Sequence, residues 1–356
     1  MNQPGSIAAV GHAFPKHCYS QGEIATALSE RWTDKLPHPE VFERLLGNMG
    51  VSSRYLTLPL EDYDGLDTWG KANDLWIETA VDLGQRAICG AVTSAGLTVR
   101  DLDAIFVVSV TGIASPSIDA RLVNRMHLRN DIKRIPIFGL GCVAGAAGVA
   151  RAADYVLAYP DHAVVLLAIE LCSLTWQRND LSVANLISSG LFGDGAAAVV
   201  IAGATKQRKA TGGPRILDSR SSFYRDTESV MGWTISENGF RIMLSPDVPK
   251  VVYDHLAEDV DGFLAGHGLQ RNDIGAWVMH TGGPKVLEST LSALDLPPGA
   301  LDASWECLDR VGNLSSASVL LVLEEFLNER RPEPGTLGLL AAMGPGFCSE
   351  LVLLKW

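Results

Sequence analysis

Short apolar runs alternate with helical stretches along most of this chain. Residues 103–112 (DAIFVVSVTG), 134–140 (RIPIFGL), 162–172 (HAVVLLAIELC) and 196–202 (AAAVVIA) read as buried strands. Residues 143–159, rich in Ala, Gly and Val, read as a buried helix. The order returns further on. Residues 274–280 are strand-like, 303–308 form a short strand, 314–330 form a strong helix, and 336–342 and 350–356 are the last strands. This alternation predicts an α/β layered fold.

The second half repeats the first in register. Ser109 and His280 each end a corresponding strand and lie 171 residues apart, and Cys142 and Asn313, each between a strand and a helix, are also 171 apart. Equal offsets predict two pseudo-symmetric halves, residues 1–205 and 206–356. Residues 203–214 (GATKQRKATGGP) read as a solvated connector between them.

Three polar residues stand at the junctions of this pattern. Cys142, in GLGCVAGAAG, lies where a strand enters and a small-residue helix leaves. The amino end of a helix favours the thiolate, the reactive form of cysteine. The alternative is a buried structural thiol. His280, in HTGGPK, follows a strand and precedes a Gly-Gly-Pro turn. There it could pair with a thiolate or donate to a developing oxyanion, or simply be a hydrogen-bonded structural histidine. Asn313, in GNLSSAS, suits a helix N-cap, but its register with Cys142 brings both helix starts toward one cavity. Phe192 precedes a Gly-Asp-Gly turn, in which Asp194 reads as a turn residue rather than an acid catalyst.

Composition narrows the function. Hydrophobic residues make up 47% of the 356, enough for a large core, and the formal net charge of −12 argues against a nucleic-acid binder. The six cysteines are widely spaced without a CxxC pair, so neither a zinc site nor a disulfide framework is predicted. No secretory leader is visible at the amino terminus, and no apolar run reaches the ~20 residues of a membrane span, so a soluble, cytoplasmic protein is expected. Neither GxGxxG nor a P-loop stands at a strand–helix junction, so nucleotide-dependent redox or phosphoryl transfer is not predicted.

Five motifs in order carry a resemblance: GLGCVAGAAG around Cys142, SGLFGDGAAAVVI around Phe192, HTGGPKVLE from His280, GNLSSAS around Asn313, and MGPGFCSELVLL near the end. Over nearly its whole length the chain resembles type III polyketide synthases, the chalcone-synthase-like branch of the thiolase superfamily, and in particular bacterial members. The resemblance implies a thiolase fold, a duplicated αβαβα five-layer architecture, and an obligate homodimer. It implies Cys142 as nucleophile with His280 and Asn313 as its partners, and Phe192 as the gatekeeper of the cavity. Cys172, Thr175, Ser315, Met343 and Gly344 would shape that cavity, Trp233 would narrow it, and Arg54 would lie in a segment contacting coenzyme A. The substrates would be malonyl-CoA and an acyl-CoA starter, with no metal or further cofactor.

The stretch ELCSLTWQRNDLSVANL resembles bacterial members that extend fatty acyl starters to alkylresorcinols or alkylpyrones. The alternatives are a malonyl-primed synthase making tetrahydroxynaphthalene or 3,5-dihydroxyphenylacetyl-CoA, and a ketoacyl synthase III-like enzyme fed by a carrier protein. A thiolase would require a second active-site cysteine, and a binding protein of the same fold would not require the intact Cys142, His280 and Asn313 set.

Overall fold

The computed structural model describes residues 3–32, 39–206 and 213–356, so part of the expected connector, 207–212, lies outside the described residues. Its first half runs β1 (Ser6–Ala13), β2 (His17–Ser20), α1 (Gln21–Trp32), α2 (Pro39–Gly47), β3 (Ser53–Leu56), α3 (Trp69–Ser94), β4 (Ala104–Ser109), α4 (Ile118–Arg125), β5 (Lys133–Phe138), α5 (Ala144–Ala158), β6 (Ala163–Leu171), α6 (Val183–Leu191) and β7 (Asp194–Ala202). The second runs β8 (Arg215–Phe223), β9 (Met231–Ser236), β10 (Gly239–Leu244), α7 (Val248–Ala265), β11 (Ile274–Met279), α8 (Pro284–Leu294), α9 (Asp302–Val311), α10 (Ser318–Asn328), β12 (Leu337–Gly344) and β13 (Cys348–Lys355).

Nine strands pair in the order β11-β12-β13-β8-β1-β7-β6-β4-β5. Among the described residues, the two halves of this array pair where Ser6 meets Arg215. On either side the pairing is the same. β4 and β6 are parallel, then β7 and β1 are antiparallel; β11 and β12 are parallel, then β13 and β8 are antiparallel. Only β5 has no counterpart.

The missing counterpart corrects one expectation. Residues 303–308 are not a strand but part of α9. Ala303, Ser304, Cys307, Leu308 and Val311 are its buried positions, a helical spacing rather than an alternating one. Asn313 therefore follows a helix, whereas Cys142 follows a strand. The repeat lies one step later, in two short 3-10 turns, Gly141–Val143 and Ser315–Ala317, which open into α5 and α10. By turn position the counterpart of Cys142 is Ser316, and not Asn313.

Alternation along the strands builds the layers. In β6, Val165, Leu167 and Ile169 join the core under α3, while Val164, Leu166 and Ala168 face the central helices α5 and α10. In β13, Leu351 and Leu353 face α7 and α8, while Val352 and Leu354 face that same central core. The result is helix, sheet, helix pair, sheet, helix. The two central helices approach closely because Gly145 has no side chain: a Cβ there would lie 2.2 Å from the carbonyl oxygen of Ser316. That contact brings the two turns, and with them Cys142 and Ser315, into one place.

Candidate active site

Cys142 sits in the turn between β5 and α5. Gly141 has a φ of +58°, and a Cβ on it would lie 2.6 Å from the Pro345 ring, so the turn packs directly on the segment after β12. His280 follows β11 and is tied to β12 by its backbone N–H, which donates to the carbonyl of Ala341 at 3.0 Å. Asn313 lies between α9 and the second turn. Its Oδ1 accepts from the Ser315 N–H at 2.7 Å and from the Ser318 hydroxyl at 3.4 Å, which leaves Nδ2 for a ligand. The three side chains line one largely apolar cavity with Met231, Met343 and Phe347.

Burial sets the charges here. The Cys142 thiol is pushed up to about 12, mainly by desolvation; the Ser315 hydroxyl, 3.6 Å from the sulfur, opposes this, and the charge of Glu170 adds to it. Desolvation thus works against the thiolate that a helix terminus favours. Burial also lowers His280 to about 4, and both of its ring nitrogens are buried without a hydrogen-bond partner. Burial thus favours the uncharged form of each group. A neutral imidazole retains one N–H for a carbonyl oxygen and one free nitrogen for a proton.

Cys142 also borders a second cavity, lined by Cys172, Phe192, Trp233 and Ser315 among others. Cys172, Phe192 and Trp233 continue into a deeper apolar space between α1 and Trp176, where Thr175 also lies, with about 660 Å³ of atom-free volume counting its open mouth. The structure thus brings Cys172, Thr175, Phe192, Trp233 and Ser315 together on the side of Cys142 away from His280. Met343 lies on the His280 side. Gly344 lines neither cavity: a Cβ there would meet the Val143 nitrogen at 2.7 Å, so it backs the turn of Cys142 instead.

Arg54 lies on the wall of the space beside α1, with Cys172 and Phe192. It is only 1% exposed. Its guanidinium donates to the carbonyls of Ser189 (2.9 Å) and Phe192 (2.7 Å) and to Oε1 of Gln21 (3.1 Å). Those contacts commit the guanidinium to carbonyl groups of the chain itself.

Glu170 was not singled out by sequence reasoning. It is fully buried at the end of β6 and accepts from the Thr111 hydroxyl at 3.0 Å, the Val110 N–H at 3.2 Å and the Ser316 hydroxyl. Burial pushes its carboxyl up to about 7 despite these donors. The signal was present, since an acidic residue inside a run that reads as a buried strand demands a partner. Asp194 is also buried, accepting from the backbone and hydroxyl groups of Thr57 and Ser173 at 2.5–2.8 Å. It is a brace for the cavity wall, consistent with a structural rather than an acid-catalyst role.

Among known proteins, the family model of the chalcone and stilbene synthases matches this chain, its N-terminal domain over residues 2–205 and its C-terminal domain over residues 215–356. The chain is a type III polyketide synthase. A 1,3,6,8-tetrahydroxynaphthalene synthase of Streptomyces peucetius subsp. caesius is 50% identical to this polyketide synthase over 351 residues, 99% of this chain and 93% of that one. A putative chalcone synthase of Bacillus subtilis is 37% identical over 98% of both chains. The crystal structure of the 1,3,6,8-tetrahydroxynaphthalene synthase of Streptomyces coelicolor superposes with a TM-score of 0.93 at 33% identity, covering 99% of each chain. The type III polyketide synthase described here therefore has the thiolase fold and belongs with the acyl-transferring, condensing enzymes. Among the described residues, no helix is long and apolar enough to cross a membrane, and no group of three or more His, Cys, Asp or Glu is placed to hold a metal ion.

Proposed function

We propose that this polyketide synthase both primes and extends with malonyl-CoA, and closes the chain to a tetrahydroxynaphthalene-type product. The observation that carries this reading is the 50% identity, over nearly the whole chain, to a 1,3,6,8-tetrahydroxynaphthalene synthase. The ten ring carbons of that product and its alternating oxygens correspond to five two-carbon units with no distinct starter. The relatives favour this reading over the fatty acyl starter that the ELCSLTWQRNDLSVANL stretch suggested. Trp233 on the cavity wall is in keeping with a short, reactive chain.

The chemistry follows from the geometry. The Cys142 sulfur attacks the thioester carbonyl of malonyl-CoA, and its proton passes to the departing coenzyme A thiolate. Neutral His280 can carry that proton between the two sulfurs. A second malonyl-CoA then presents its thioester oxygen to the His280 N–H and to Nδ2 of Asn313. Its terminal carbon–carbon bond breaks, carbon dioxide leaves, and the electron pair enters an enolate that the two donors stabilise. The enolate carbon attacks the acyl carbonyl on Cys142, a carbon–carbon bond forms, and the released Cys142 thiolate takes the lengthened acyl group back from its coenzyme A thioester for the next round. The starter also loses its carboxyl as carbon dioxide, so five malonyl units give ten carbons. A low-dielectric cavity strengthens both donors, because no water competes with them.

The test is to incubate the purified chain with malonyl-CoA and no carrier protein. An aromatic product is expected; its absence, with product restored by a malonyl-loaded carrier protein, would favour the ketoacyl synthase reading.

We also propose that the working unit is a homodimer closed across the free edge of β5. Ile113 and Phe138 are each 49% exposed beside that edge. Asp119 is buried with neither carboxylate oxygen hydrogen-bonded, its ion partner Arg134 standing 3.4 Å away on β5. Light scattering should give twice the chain mass of 38.1 kDa, and a stable active monomer would contradict the proposal.

A further inference from the structure

We infer that Arg54 is a positioning residue, holding the gate Phe192 and the amide of Asn313 in one fixed arrangement; this rests on the malonyl reading above. The reason begins with α6. A helix ends on carbonyls without helical partners, and those carbonyls carry partial negative charge. At the end of α6 the last carbonyls are claimed by three groups. Arg54 takes those of Ser189 and Phe192, and Gln21, itself bonded to Arg54, takes that of Gly190 at 2.8 Å. The backbone N–H of Asn313 takes that of Leu191 at 2.9 Å, and Gly193 N–H returns to the Asn313 carbonyl at 3.0 Å. Phe192 and Asn313, from opposite halves of the chain, are thus joined in a parallel β-bridge.

The stem of Arg54 fills the space between these two loops. A Cβ on Gly312 would lie 2.9 Å from Arg54 Cδ, and one on Gly193 would lie 3.5 Å from Arg54 Cβ. No carboxylate is hydrogen-bonded to the guanidinium among the described residues. A buried cation is costly, and here it is held by carbonyls alone with Asp194 as the nearest opposing charge. A planar fork can span three acceptors; a lysine ammonium, a point charge on a flexible stem, cannot hold the same geometry. Cys142 makes no hydrogen bond to Arg54 or Phe192; its turn packs on Pro345, and its link to Asn313 runs through Ser315.

The experiment separates positioning from general stability. Two rates are measured on the full chain: release of carbon dioxide from malonyl-CoA, which uses Asn313, and alkylation of Cys142 by iodoacetamide, which does not. Arg54→Lys is expected to lower kcat for decarboxylation by about 10²-fold, the scale of an ångström misplacement, with KM little changed and alkylation within about twofold. Gln21→Leu, which removes the bond to Arg54 and those to the Gly190 and Leu46 carbonyls, is expected to lower it by less, in the same direction. Decarboxylation at the wild-type rate in Arg54→Lys, or equal losses of decarboxylation and alkylation, would overturn the inference. If Arg54→Lys does not fold, Gln21→Leu decides by the same two rates, and an unchanged decarboxylation rate overturns it. Wild-type protein that releases no carbon dioxide from malonyl-CoA would instead overturn the malonyl reading, and this inference with it.

Discussion

Cys142→Ala is expected to lower polyketide formation by at least about 10⁴-fold, the scale seen when an enzyme loses its nucleophile. Each condensation needs an acyl group held next to the enolate, and Cys142 is the one thiol that lines both the His280 cavity and the cavity bounded by Phe192 and Trp233. Cys172 cannot replace it: it lies outside the His280 cavity, and burial near Glu170 and Asp194 holds its thiol well above the usual range. Decarboxylation uses other groups, so Cys142→Ala should still release carbon dioxide from malonyl-CoA. Product analysis beside carbon dioxide release checks both halves. Polyketide at near wild-type rate from the variant would remove Cys142 from the mechanism.

The complementary loss is expected from Asn313→Ala and His280→Ala. Each removes one donor from the enolate oxygen, and a preorganised donor of this kind is worth about 10²–10³ in kcat. The two act on one oxygen, so the double variant should lose less than the product of the single losses. In both, Cys142 should still be alkylated by iodoacetamide. The role of His280 as a neutral donor adds a second readout. Its pKa lies near 4, below the ordinary histidine value of 6.5, so its neutral form predominates from about pH 6 upward. Decarboxylation should then show no acid limb near pH 6.5 that disappears in His280→Ala. The sign is the same for stability. The unfolded chain takes up this proton first, so the contribution from His280 is present above about pH 6.5 and fades as pH falls toward 4.

Much of this was legible in the linear pattern. Strands β4, β6 and β7 are apolar on both faces because both faces are covered, and such runs are visible without a structure. The place of Cys142 was readable because small residues on both sides signal a tight turn and a closely packed helix. α9 was misread because DASWECLDRV is short and places apolar residues at spacings that a strand can mimic over six positions. Arg54 and Glu170 were beyond local reading for a different reason. Whether a charge faces solvent or the core depends on what the rest of the fold brings to it. For Arg54 that was the end of a helix more than 130 residues away, and for Glu170 a hydroxyl from the opposite half. The starter was the least legible, since the cavity is walled by side chains from α1, β9, β10 and the segment after β6.

If malonyl-CoA both primes and extends, malonyl units supply every carbon of the product. The direct measurement is mass spectrometry of the product formed from uniformly ¹³C-labelled malonyl-CoA as sole substrate, with an unlabelled medium-chain acyl-CoA added in a parallel reaction. A fully labelled ten-carbon aromatic product is expected in the first reaction and the same major product in the second. No product from malonyl-CoA alone, with an unlabelled alkyl chain in the product of the second, would contradict it.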